Sequence, residues 1–156
     1  MNEANKLIKM LIKTKNTIGS VESVTGGFFI STLIKIPGAS KVVRGALVTY
    51  QTNLKTNLLG INKKTIDKFG VVSDKVAELM ATNGYKKLGS DIVISFTGNA
   101  GPTKEKGSTN VGDIYIGMKH NRTTKVFFLS LSGSRNDIIK KAVLEAIYII
   151  INELKQ

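Results

Sequence analysis

Apolar positions along the chain follow two alternating periods. Leu7, Ile8, Leu11 and Ile12 recur at helical spacing and predict an amphipathic helix over 3–15. A β-branched run predicts a strand over 16–21. The apolar run behind Gly26-Gly27 predicts a helix over 26–36, stopped at Pro37-Gly38. A second strand is expected over 42–49, where Arg44-Gly45 interrupts the pattern and marks a bend. After Tyr50 the pattern turns helical through Leu54, Leu58 and Leu59 to Gly60, and a short helix follows over 63–69. Ser73 is placed to cap a helix over 74–88, with Val76, Ala77, Met80 and Ala81 as its apolar stripe. A third strand is read over 91–97, followed by a polar, glycine-rich segment at 98–110. Ile114, Ile116 and Met118 share one face of a strand over 112–119, which turns at His120-Asn121-Arg122 into another over 124–131. Ser132-Gly133-Ser134 introduces a final helix over 135–154, buried through Ile138, Ala142, Val143, Ile147, Ile150 and Leu154.

Strands separated by helices predict an α/β fold, a three-layer α/β/α sandwich. The first three strands should be parallel, joined by right-handed crossovers, and the hairpin adds an antiparallel element. The sheet is therefore expected to be mixed, mostly parallel, with about five strands. No internal repeat or long linker interrupts the 156 residues, which are read as a single domain over 1–156. In open sheets of this kind, ligands bind beyond the carboxyl ends of the strands. The loop leaving the first strand carries Glu22, Ser23, Thr25, Gly26 and Gly27. The second carries Tyr50 and Lys55, and the third runs from Thr97 through Gly98, Ala100 and Gly101 to Pro102. All three are expected to open on one edge.

Composition narrows the chemistry. There is no cysteine, so a thiolate nucleophile and a disulfide framework are excluded, and the chain is read as cytoplasmic. No apolar run reaches membrane-spanning length. The formal charge is +12, yet the lysines are scattered in pairs such as Lys63-Lys64, Lys86-Lys87 and Lys140-Lys141, without interleaved aromatics. That pattern suits solvated helix faces and an anionic small ligand better than a nucleic-acid surface. His120, the one histidine, falls in a hairpin turn, which removes a Ser-His-Asp relay. The eleven acids are dispersed, so no metal cage is expected.

What remains is a serine hydroxyl activated by an amine or a phenol. The turn Ser20-Val21-Glu22-Ser23-Val24-Thr25-Gly26-Gly27 lies between a strand and a helix, where a side chain can stand at the rim of the sheet. Unpaired N–H groups at a helix start, with glycines allowing close approach, suit an anionic group. On its own this stretch is more readily a capped turn, because caps are far commoner than active sites. A neutral lysine can take a serine proton if burial lowers its pKa from about 10.4. Tyr50 and Lys55 sit at the start of the next helical stretch, close enough in sequence to supply a phenol and an amine.

Together these stretches resemble the CinA C-terminal domain family. The resemblance rests on Glu22-Ser23-Val24-Thr25-Gly26-Gly27, Pro37-Gly38-Ala39-Ser40, Arg44-Gly45, Val48-Thr49-Tyr50 with Lys55, and Leu59-Gly60. It continues through Gly70-Val71-Val72-Ser73, Thr97-Gly98, Ala100-Gly101-Pro102, Val111-Gly112 and Ser132-Gly133 with Arg135, in family order and spacing. It implies a three-layer sandwich, a homo-oligomer, no cofactor, and hydrolysis of nicotinamide mononucleotide to nicotinic acid mononucleotide and ammonia. By position it makes Ser23 the nucleophile, with Tyr50 and Lys55 as its activating partners. Glu22, Thr25, Gly26, Gly27, Arg44, Thr97, Gly98, Ala100, Gly101 and Arg135 are expected to contact the substrate. The chain departs from the family at Thr52, where asparagine is usual, at Ile139, where a second arginine is usual, and across 103–110, where a glycine-rich loop is replaced. A module of the same fold that binds a nucleotide or a partner without efficient catalysis is the alternative.

Overall fold

The computed structural model describes residues 2–107 and 109–156. Helix α1 (Asn2–Thr14) buries Leu7, Ile8 and Leu11 and leads into strand β1 (Ile18–Glu22). Helix α2 (Phe28–Ile34) and a 3-10 turn at Ala39–Lys41 connect to strand β2 (Val43–Val48). Helices α3 (Thr52–Asn57), α4 (Lys63–Phe69) and α5 (Asp74–Leu88) precede strand β3 (Ile92–Gly98). The hairpin of β4 (Asp113–His120) and β5 (Thr123–Ser130) and helix α6 (Arg135–Leu154) complete the order.

The five strands form one mixed sheet in the order β2-β1-β3-β4-β5. β1 pairs parallel with both β2 and β3, while β4 runs antiparallel between β3 and β5. Both faces are covered, so β3 is buried almost throughout. Ile92, Ile94 and Phe96 point into one core with α1, α2 and α6, and Val21 and Val93 point into a second core with α4 and α5. That is the three-layer sandwich. The helix bounds read from the apolar period hold at 63–69, 74–88 and 135–154. Ser73 caps α5, its hydroxyl accepting from Val76 N–H, and Ser134 opens α6 in a reciprocal capping box with Asp137.

The interruption at Arg44-Gly45 is a β-bulge. Ile18 pairs with Val43 and Gly19 with Gly45, which leaves Arg44 as the extra residue of β2. α5 lies close on the sheet because glycines face each other's neighbours. A Cβ at Gly84 would overlap Val21, and one at Gly117 would overlap the Ala77 carbonyl. The Ser95 hydroxyl bridges the two elements, donating to Ala77 O at 2.7 Å and accepting from Gly117 N–H at 3.2 Å.

Strand directions decide what gathers at one edge. β1, β2 and β3 end there, β4 begins there, and β5 ends there, since Gly98 pairs with Ile114 and Asp113 with Ser130. The edge therefore collects the loops at 23–27, 49–51 and 98–112 and the start of α6.

Candidate active site

Ser23 follows directly on β1 and is held there by the ladder continuing one residue further. Its N–H donates to Phe96 O at 3.1 Å. Lys55 lies in α3, and its side chain turns back under the sheet edge and is 1% exposed. Its Nζ donates to Ser23 Oγ at 2.9 Å and to Thr49 O at 2.7 Å. No carboxylate lies within ion-pair distance of it among the described residues. Burial therefore acts almost alone and lowers its pKa from 10.5 to about 8, with the negative charge of Glu105 pulling weakly the other way. An amine so placed is a proton acceptor for the hydroxyl it touches.

Around this pair lies a cavity of about 200 Å³, lined by Ser23, Val24, Tyr50, Gly98, Asn99, Ala100, Thr103, Lys104, Glu105 and Arg135. The three strand-end loops and α6 thus meet as the topology expects. Tyr50 reaches Ser23 through its backbone, whose carbonyl is 3.5 Å from Ser23 Oγ. Its phenol points elsewhere and accepts from Arg135 at 3.0 Å. The phenol is thus not in contact with the hydroxyl that it was expected to activate. Arg135 also donates to Gly101 O at 2.7 Å, so one guanidinium ties the ends of two loops to the start of α6.

Several residues expected to contact substrate do other work. Glu22 is wholly buried, and its carboxylate accepts from the hydroxyls of Ser20 and Thr25 and from the N–H groups of Gly27, Phe29 and Ile30. It is the cap of α2, which has no side-chain cap at Gly27 itself. Thr25 is spent on the same carboxylate. This also corrects the expectation that Gly26 and Gly27 offer free N–H groups. Gly26 N–H goes to Ser23 O at 3.0 Å and Gly27 N–H to Glu22 at 2.8 Å. The glycines serve the turn, both having positive φ, 56° and 101°. Among the described residues, Val24 N–H, one residue beyond the serine, is one of the donors left over, as are Thr25 N–H and Ala100 N–H. Among the described residues, no acceptor stands against Val24 N–H, and Val24 lines the cavity. Thr97 is likewise committed, its hydroxyl donating to Val71 O at 2.7 Å.

Arg44 is on the wrong edge. It sits at the start of β2 and lowers the pKa of Asp91, which precedes β3 and is held mainly by Thr17. His120 ends β4 at that same far edge. Two residues that matter escaped the sequence pattern. Asn99 is buried and staples the loop, its amide donating to Asn110 O at 3.2 Å and its Oδ1 accepting from Glu105 N–H at 3.0 Å. Glu105 lies inside the cavity wall. Asn99 had a signal, a polar residue between glycine and alanine at a strand end. Glu105 had none, because its place depends on the path of an irregular loop.

The fold and the edge define a class. This is an α/β protein in which a serine hydroxyl and a desolvated lysine amine touch at the carboxyl ends of parallel strands. More narrowly, the chain belongs to the CinA C-terminal domain family, which matches residues 2–154. A CinA-like protein of Sulfurihydrogenibium sp. (strain YO3AOP1) is 41% identical over 130 residues, 83% of this chain and 32% of that protein. One from Kosmotoga olearia is 39% identical over 141 residues, 90% of this chain and 34% of that protein. The chain thus spans about a third of the length of these curated relatives. The crystal structure of the competence/damage inducible protein CihA from Agrobacterium tumefaciens superposes with a TM-score of 0.90 at 26% identity, covering 99% of this chain and 96% of that one. A CinA superfamily protein of Klebsiella pneumoniae 700603 matches the fold with a TM-score of 0.96, covering 99% and 96% at 21% identity. No helix among the described residues is long and apolar enough to cross a membrane.

Proposed function

We propose that the protein is an amidohydrolase that deamidates nicotinamide mononucleotide through Ser23 and Lys55. The observation that carries this reading is the 2.9 Å contact between Ser23 Oγ and a lysine amine whose burial brings its pKa to about 8. Ser23 Oγ attacks the carboxamide carbon as its proton passes to Lys55 Nζ. The carbonyl oxygen takes up the negative charge, and Val24 N–H and Ala100 N–H are donors free to meet it; one such donor contributes ~10²–10³ in rate. The C–N bond then breaks, and ammonia departs with the proton returned from Lys55. Water, losing a proton to the same amine, attacks the acyl-serine ester. Ser23 leaves with that proton, and the carboxylate product is released.

The positive groups at the rim support an anionic substrate. Arg135 and Lys104 both line the cavity and favour a phosphate. Incubation with nicotinamide mononucleotide, nicotinamide riboside, nicotinamide and glutamine, with ammonia as the readout, is expected to show release from the mononucleotide above all. Nucleotide binding without any ammonia would select the binding-module alternative instead.

Lys55 must be neutral to accept the serine proton. Its pKa is lowered, so the neutral fraction is small below about 8 and dominant above it. Ammonia release should accordingly rise with pH through about 8 and level off beyond. A rate independent of pH across that interval would remove Lys55 as the base.

A further inference from the structure

Charges of both signs line the cavity that holds Ser23. The cations have their heads engaged by oxygens of the protein. Lys104 Nζ donates to Gly107 O at 3.2 Å and Thr109 O at 2.7 Å, and Arg135 donates to Gly101 O and to the Tyr50 hydroxyl. Glu105 differs. Its backbone is pinned by Asn99, buried at 4% exposure, so the point at which its side chain leaves the loop is set by the protein. Among the described residues its carboxylate has neither an ion-pair partner nor a hydrogen-bond donor. It is the one acid in the cavity wall, in a chain with 23 basic and 11 acidic residues. It also lies near enough to Lys55 to act on that amine through its charge. A group bound between Ser23 and the rim therefore passes within the field of an unneutralised carboxylate.

Resting on the amidase reading above, we infer that Glu105 is a specificity-determining residue that selects amides carried on a cationic ring, an N-alkylated pyridinium above all. The cavity then takes a zwitterion, with the ring cation toward Glu105 and the phosphate toward Arg135 and Lys104. A neutral aromatic amide of the same shape forfeits the first of these attractions. At an exposed carboxylate a charge pair of this kind amounts to roughly three- to fivefold in affinity.

The probes are nicotinamide mononucleotide and the benzamide C-nucleoside 5′-phosphate, whose ring is neutral and otherwise alike. Their dissociation constants are measured by calorimetry on the wild-type protein and on Glu105→Gln, with ammonia release followed in parallel. Glu105 is on an exposed loop, and glutamine keeps the backbone bond to Asn99. The substitution is expected to weaken the cationic ligand about three- to fivefold and to change the neutral one less than about 1.5-fold. Equal weakening of both ligands, no weakening of either, or no binding of either overturns the inference. The two readings fail separately. Charge-selective binding lost in Glu105→Gln but without ammonia supports the role of Glu105 and sinks the amidase. Ammonia release with an unchanged ligand ratio does the reverse.

Discussion

Ser23→Ala is expected to lower ammonia release from nicotinamide mononucleotide by about 10⁴-fold or more, and Lys55→Met by a similar factor. In the proposed mechanism the hydroxyl and the amine act as one unit, because among the described residues Lys55 Nζ has Ser23 Oγ as its only side-chain partner. Once either is gone, the other has nothing to activate or be activated by. The double variant should therefore be no slower than the single ones, and additive losses would show that the two groups act separately. Lys55→Arg should not rescue, since a guanidinium stays charged at every working pH. Circular dichroism on each variant separates lost chemistry from lost fold.

The same lysine also carries a stability signature. Its pKa is lowered in the folded protein to about 8, against 10.5 for the ordinary side chain. Between those values the unfolded chain binds a proton that the folded one does not, so stability rises with pH across that window. Below it the full penalty stands, on the order of 3 kcal/mol. Lys55→Met removes this penalty but leaves Thr49 O without its donor, which costs about 1–3 kcal/mol. The variant should be at least as stable as the wild type near neutral pH while inactive, as read from urea midpoints. A clear loss of stability would show that the buried ammonium is held more favourably than its surroundings indicate.

Glu22→Ala is the substitution expected to damage the fold most, by about 3–5 kcal/mol in urea unfolding. The carboxylate is wholly buried and accepts five hydrogen bonds, three of them from backbone N–H groups at the start of α2. Alanine takes the acceptor from all five donors, three of them in buried bonds, and opens a cavity among them. Glu22→Gln should fall between, because its amide nitrogen brings a donor to a site that supplies only donors. For a protein of this size total stability is about 5–15 kcal/mol, so the alanine variant sits near the edge of folding. What remains folded should keep its KM, since Glu22 does not line the cavity that holds Ser23. A raised KM with undiminished stability would return Glu22 to the substrate site.

The elements and their order were legible because each buries one face. The period of Val76, Ala77, Met80 and Ala81 gives α5, and the alternation of Ile114, Ile116 and Met118 gives β4, from local pattern alone. Polar residues behave differently, since one side chain serves as a cap or as a ligand contact depending on what lies above it. Glu22, Thr25 and Thr97 each sit beside the serine loop or at a strand end, as a ligand contact would. Nothing in their spacing says that helix α2 and the Val71 carbonyl claim them first. Arg44 matched in order and spacing, yet it lies at the beginning of β2, the end of the strand remote from the site. Tyr50 shares the cavity, but its phenol was drawn away by Arg135, a residue 85 positions later.

The sequence by itself determined the layered α/β fold and the absence of a thiol, and it left a serine beside an amine or a phenol as the candidate chemistry. Only the tertiary structure decided which groups are free. Periodicity records burial along a single element, whereas the partner of a polar atom is chosen by whichever element packs across it. Ser23 and Lys55 are 32 residues apart and touch because parallel strands end at one edge. Glu105 shares the cavity with Ser23 because Asn99 holds its loop there, a constraint no local pattern encodes.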